Sequence, residues 1–233
     1  LSDKPLDARA HTLDAHLEWT GRLIEALDLQ DVVAVVQDWG GPIGVGAFLG
    51  REERLGGLVV LNTSLGPPKA GFRPTAFHRF GQLPVVSDVV FRGLGFPQLA
   101  LGIAQGNKLS IGFTETRAYR WPLRRFKSRT APLALTRMVP DSLAHPSVPA
   151  LTRIRALVQE FDGPAAIVWG TRDPVLGRLL DRTRRLLPQA IVTETRAGHF
   201  LQEEVPTEIA AAVRHVALGW DDEDAPISAE VRG

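Results

Sequence analysis

In Val35-Val36-Gln37-Asp38-Trp39-Gly40-Gly41-Pro42 an aspartate follows a run of valines and precedes small residues that can open a helix. An acid at the carboxyl end of a buried strand, on a tight turn into a helix, is held out towards solvent with backbone NH groups close by. That is the geometry of a nucleophile elbow, with Asp38 in the nucleophile's place. A plain helix cap would also use an Asp there, so the motif needs support from elsewhere in the chain. A second acid, Asp173, follows the apolar run 165–169 in Gly170-Thr171-Arg172-Asp173-Pro174, and a histidine, His199, follows the run 190–195 in Ala197-Gly198-His199-Phe200. A lone histidine near a strand end is more often structural than catalytic. Three such placements in the chain order nucleophile, acid, histidine match the order of the α/β-hydrolase triad.

The elements that must carry these residues follow from hydrophobic periodicity. Leu13, His16, Leu17, Thr20, Leu23, Ile24 and Leu27 recur at helical spacing, predicting a helix over 12–28. The runs 32–36, 58–61 and 165–169, and more weakly 190–195, are short and apolar, as in strands of a parallel sheet buried on both faces. Helical stretches at 41–49 and 176–187 lie between them, so the fold class is α/β with a parallel sheet. From 66 to about 145 no strand run is evident, and short apolar clusters alternate with Gly and Pro. A helical insertion there would lie over the strand ends, where open α/β sheets bind ligands. The expected organisation is a first core part (1–64), a helical cap (65–145), a second core part (146–220) and a disordered acidic tail (221–233) containing Asp221-Asp222-Glu223-Asp224.

Composition bounds the rest. The 233 residues carry 27 basic and 26 acidic side chains, a net charge of +1 that gives no polybasic signal for nucleic acid, despite a locally basic stretch at 120–129. With no cysteine there is no disulfide framework and no thiolate nucleophile. No run approaches a membrane span and no signal pattern opens the chain, which reads as soluble and cytoplasmic. The first residue is Leu, and Ser2-Asp3-Lys4-Pro5 reads as loop, so strands are expected to precede this segment.

On its motifs the chain resembles the haloalkane dehalogenases of the α/β-hydrolase superfamily. These are QDWGGP at 37–42, Asn62 after the second strand, WGTRDPVLG at 169–177 and AGHFLQEE at 197–204. The resemblance implies Asp38 as nucleophile, His199 as base and Trp39 as a halide-holding donor whose backbone NH also serves an oxyanion hole. It further implies Asp173 as the third acid, because the alternative family position is Asn62. The implied partners are a small apolar halogenated substrate and a halide ion, with no metal or organic cofactor; it says nothing of oligomeric state.

Two departures accompany it. Val36 stands where the general elbow has Gly. Family members also have further strands and a His-Gly loop upstream of this chain's start, and the second halide donor would come from that loop's Asn. With those strands absent the nucleophile strand would be a sheet edge, and the segment alone is expected to be aggregation-prone and nearly inactive. Trp121 does not match the family's cap Trp and is expected in the core. Phe77, Phe80, Phe91, Phe96 and Leu135 either line the pocket or build the cap core, and Phe200 could face the pocket. A related epoxide hydrolase would need two cap tyrosines, whereas the chain has only Tyr119. A noncatalytic hydrolase-fold binding protein is the reading from another class, in which the triad would be expected to have decayed.

Overall fold

The valine-rich runs pair into one parallel sheet in a computed structural model that describes residues 3–96 and 98–219. The elements begin with α1 (Leu13–Ala26), β1 (Val32–Asp38), α2 (Gly40–Gly46) and β2 (Leu55–Thr63). The intervening segment holds α3 (Ala76–Gly81), α4 (Val86–Asp88), a π-helical turn over Val89–Leu94, α5 (Phe113–Arg120) and α6 (Thr130–Arg137). The chain then continues through α7 (Val148–Glu160), β3 (Ala165–Gly170), α8 (Leu180–Leu186), β4 (Ile191–Thr195) and α9 (Pro206–Leu218). Among the described residues the sheet has the order β1-β2-β3-β4, all neighbours parallel.

Period-two alternation divides the apolar strand residues between two cores. Ala34, Val36, Leu58, Val60, Ala165, Ile167 and Trp169 pack with α1, α2, α7 and α8 on one face. Val59, Leu61, Ala166 and Val168 pack with Ala197, Leu201 and the α9 residue Val216 on the other. The central strands β2 and β3 are therefore buried on both sides. The same expectation for 32–36 is corrected: β1 lies at the edge of the described sheet, and although Ala34 and Val36 are buried, Val35 is 45% exposed. β4, at the other edge, is only partly covered.

Helices α7 and α9 lie outside the expected elements. Each has a proline in its first turn, Pro149 and Pro206. Proline reads as a breaker along a sequence, yet it suits a first helical turn, where the missing N–H has no intrahelical partner anyway. The acidic tail expected at 221–233 lies outside the described residues. None of the described helices is long and apolar enough to cross a membrane.

Candidate active site

Asp38 is the last residue of β1 and has φ of +46°, in the left-handed region that non-glycine residues seldom occupy. Helix α2 begins two residues later, so the acid stands exposed on the turn. Two contacts over-determine this strained residue. The Thr63 hydroxyl at the end of β2 donates to the Asp38 carbonyl at 2.6 Å. Directly above lies Gly41, where a Cβ would come within 1.9 Å of the same hydroxyl oxygen, so only glycine lets α2 settle onto the strand end.

Asp173 and His199 meet as the sequence leads one to expect. His199 Nδ1 lies 2.9 Å from Asp173 Oδ2, and Asp173 is buried. The other Asp173 oxygen accepts from the backbone NH groups of Val175 and Leu176, at 2.7 and 3.1 Å. Burial alone would raise the Asp173 pKa, but the hydrogen bond and charge of His199, with Val175 and Asn62 adding to them, hold it below its ordinary value. For His199 burial pulls the pKa down, and the Asp173 hydrogen bond and the charges of Asp38 and Asp173 more than reverse this, leaving it raised. The influence of Asp38 on His199 places the first acid within electrostatic reach of the imidazole.

Asn62 is part of this arrangement in a way its sequence position does not announce. Its amide donates to Asp173 Oδ2 at 2.9 Å and to the Gly170 carbonyl at 2.8 Å, while its own oxygen accepts the Gly170 NH at 2.7 Å. It thus ties β2 to the end of β3 and fixes the carboxylate that fixes the imidazole. The loop carrying His199 is clamped too. Buried Gln105 accepts from the Phe200 NH at 2.8 Å, Ala104 accepts from the His199 NH at 2.9 Å, and the Gln37 side-chain amide donates to the His199 carbonyl. Glu204 accepts the NH groups of Gly106, Asn107 and Gly198 at 2.8–3.0 Å. Glu204 lies within the AGHFLQEE motif, but nothing along the chain marks Gln105 as its counterpart.

A cavity of about 690 Å³ opens beside Asp38, with Trp39, Pro42, Val139, Leu151, Val175 and Leu179 among its walls. The indole NH of Trp39 has no protein partner among the described residues. The candidate lining residues go elsewhere. Phe77, Phe80, Phe91 and Phe96 form an aromatic cluster within the 64–147 segment, with ring centroids 5.5–6.3 Å apart in successive contacts, so the core alternative describes them. Leu135 packs against the main core. Phe200 lies against Tyr119 and His199, at centroid distances of 5.4 and 5.1 Å, and is not among the cavity walls. Trp121 is corrected from a core residue to one 56% exposed, stacked under the Arg124 guanidinium at 4.3 Å. Burial, and then the hydrogen bond that Tyr119 donates to Glu203 at 2.7 Å, pushes the Tyr119 pKa up to about 12. Among the described residues no three His, Asp or Glu side chains cluster as a metal site.

Comparison with known proteins agrees with this frame. A family model described as "Alpha/beta hydrolase family" matches residues 3–212. "Haloalkane dehalogenase 1" of Mycobacterium tuberculosis is 30% identical over 222 residues, covering 94% of this chain and 70% of that protein. The "Haloalkane dehalogenase" of Mycolicibacterium paratuberculosis is 28% identical over 228 residues, with the same shares covered. Among solved structures, haloalkane dehalogenase DatA from Agrobacterium tumefaciens superposes with a TM-score of 0.79 at 20% identity, covering 92% of this chain and 75% of that one. The chain belongs to the haloalkane dehalogenase family of the α/β hydrolases.

Proposed function

We propose that this chain hydrolyses carbon–halogen bonds through a covalent ester on Asp38, releasing an alcohol and a halide ion. The observation that carries the reading is the strained, exposed Asp38 at the head of a cavity, with the Asp173–His199 pair within electrostatic reach. A carboxylate displaces halide from an sp3 carbon directly, forming a C–O bond as the carbon–halogen bond breaks. The indole NH of Trp39 faces the leaving halide and stabilises its growing charge without adding a cation. His199 then removes a proton from water, which attacks the ester carbonyl, while Asp173 holds the imidazole and stabilises its charged form. The backbone NH of Trp39 steadies the oxyanion of that step.

The apolar walls near Asp38 suit the halogen-bearing carbon of a small haloalkane. The segment 65–145 acts as the cap between the two core parts, 1–64 and 146–220. In support, both of its ends reach the cavity, through Thr75 and His78 at one end and Val139 and Pro140 at the other.

The test is a trapped intermediate. Asp38→Ala abolishes bromide release, whereas His199→Phe releases about one bromide per chain and then stops, since only the second step needs a base. Mass spectrometry of the His199→Phe protein finds an alkyl adduct on the peptide that contains Asp38. Normal turnover by that variant, or no adduct, refutes the covalent route.

A further inference from the structure

The wall of the Asp38 cavity is cationic in a way the balanced chain does not foreshadow. Lys69, Arg73, Arg178, Arg182 and Arg185 line it, against two carboxylates, Asp38 itself and Asp181. Asp181 is exposed and only 3.8 Å from Arg184, which also pairs with Glu194, so five cations stand against two carboxylates on the wall. None of the five cations forms an ion pair with another side chain among the described residues; Arg182 instead donates to the Pro67 carbonyl. Arg178, Arg182 and Arg185 follow one another at i, i+4 and i+7 on the helical stretch from Gly177 to Leu186, and this spacing puts them on one face.

Like charges are costly where water is partly excluded, and Arg182 is the one of the five cations that is not exposed. Burial, and then the charges of Arg155 and Arg185, depress the Arg182 pKa. The cations and the reacting acid border one cavity. His78, another of its walls, has Nδ1 2.7 Å from the Thr75 hydroxyl and is within electrostatic reach of both Asp38 and Arg178.

We infer that the cavity takes anionic organohalides, with the halogen-bearing carbon at Asp38 and a carboxylate or similar anionic group against Arg178, Arg182 and Arg185. This rests on the dehalogenase reading and gives its substrate an anionic group where the family resemblance implies an apolar compound. The same charges that attract the anion also orient it. A substrate carboxylate is repelled by Asp38 and drawn to the arginines, which leaves only the halogenated end to meet the nucleophile. A nucleic acid or membrane surface would be met by a convex basic face, whereas these cations line a cavity of a size suited to small molecules.

The test compares ω-bromohexanoate with its neutral methyl ester. At low salt the anion is favoured in kcat/KM by about tenfold or more, and added salt erodes this preference. The exposed pair Arg178→Glu/Arg185→Glu lowers the ratio of acid to ester by a further factor of about ten or more. Calorimetry with unhalogenated hexanoate supplies a readout independent of turnover, with binding to the native chain and none to the doubly reversed variant.

An ester preference that ignores salt and the charge reversal overturns this inference and leaves the dehalogenase reading standing. Binding of hexanoate lost in the reversed variant, with no bromide released from either compound, keeps the anion site and overturns the carbon–halogen chemistry. Absence of both overturns both.

Discussion

Gly44 makes room for Val36: a Cβ on Gly44 would lie 2.9 Å from Val36 Cγ1. The general elbow carries a glycine two residues before the nucleophile; here that position is a buried valine, and the small residue has moved across to α2. The helix approaches the strand as closely as the turn demands, with the glycine on the opposite side of the contact. Gly44→Ala is therefore expected to overpack this contact, costing about 1–3 kcal/mol and lowering turnover. Val36→Ala placed in the same chain relieves the clash. A double-mutant cycle on thermal unfolding and bromide release should show strong positive coupling, and simple additivity would mean that the two residues do not share this space.

Trp39→Phe removes one NH donor and little volume. Its expected result is a bromide inhibition constant weakened by about tenfold and a slower first step, with unfolding little changed, since a hydrogen bond to a charged group contributes about 1.5–3 kcal/mol. Unaltered inhibition by bromide removes Trp39 from the halide site.

The pH dependence has a definite sign. His199 must be neutral to accept a proton from water, so ester hydrolysis falls on the acid side, and its pKa in the free protein is raised because the Asp173 hydrogen bond and the charges of Asp38 and Asp173 outweigh burial. Part of that elevation comes from the Asp38 charge. In the alkyl ester Asp38 is neutral, and the imidazole loses this support. Single-turnover hydrolysis of the ester should therefore show its acid limb at lower pH than the His199 titration of the free protein followed by NMR. Coincident limbs would show that the nucleophile and the base are not electrostatically coupled.

Asn62→Asp places a carboxylate where an amide now donates to both Asp173 and the Gly170 carbonyl. Two buried carboxylates in contact, or one facing a carbonyl oxygen, repel unless a proton is shared. The variant is expected to lose about 3–5 kcal/mol at neutral pH. The deficit relative to the native chain should shrink as pH falls into the carboxylate range and the new acid becomes protonated. Denaturant unfolding at two pH values measures this, and a pH-independent deficit would rule out charge repulsion as its cause.

What the sequence determined by itself was the local part. Apolar runs of strand length, the residues that follow them and their order along the chain are short-range patterns, so β1 to β4, the parallel α/β class and the pairing of Asp173 with His199 were legible from residue types alone. Prolines concealed α7 and α9, because the same residue ends one helix and begins another. Whatever depended on segments far apart in the chain was decided only by packing. The Phe77, Phe80, Phe91 and Phe96 rings share a composition with pocket walls, and only the folding of the insertion onto itself made them a core. Val35 is exposed because of where β1 lies in the sheet, which no residue of β1 encodes. The cationic wall is the strongest case: Lys69 and Arg178 are surface-type residues far apart in sequence, and their charges act on one small volume only because folding brings two separate segments to the cavity that Asp38 borders.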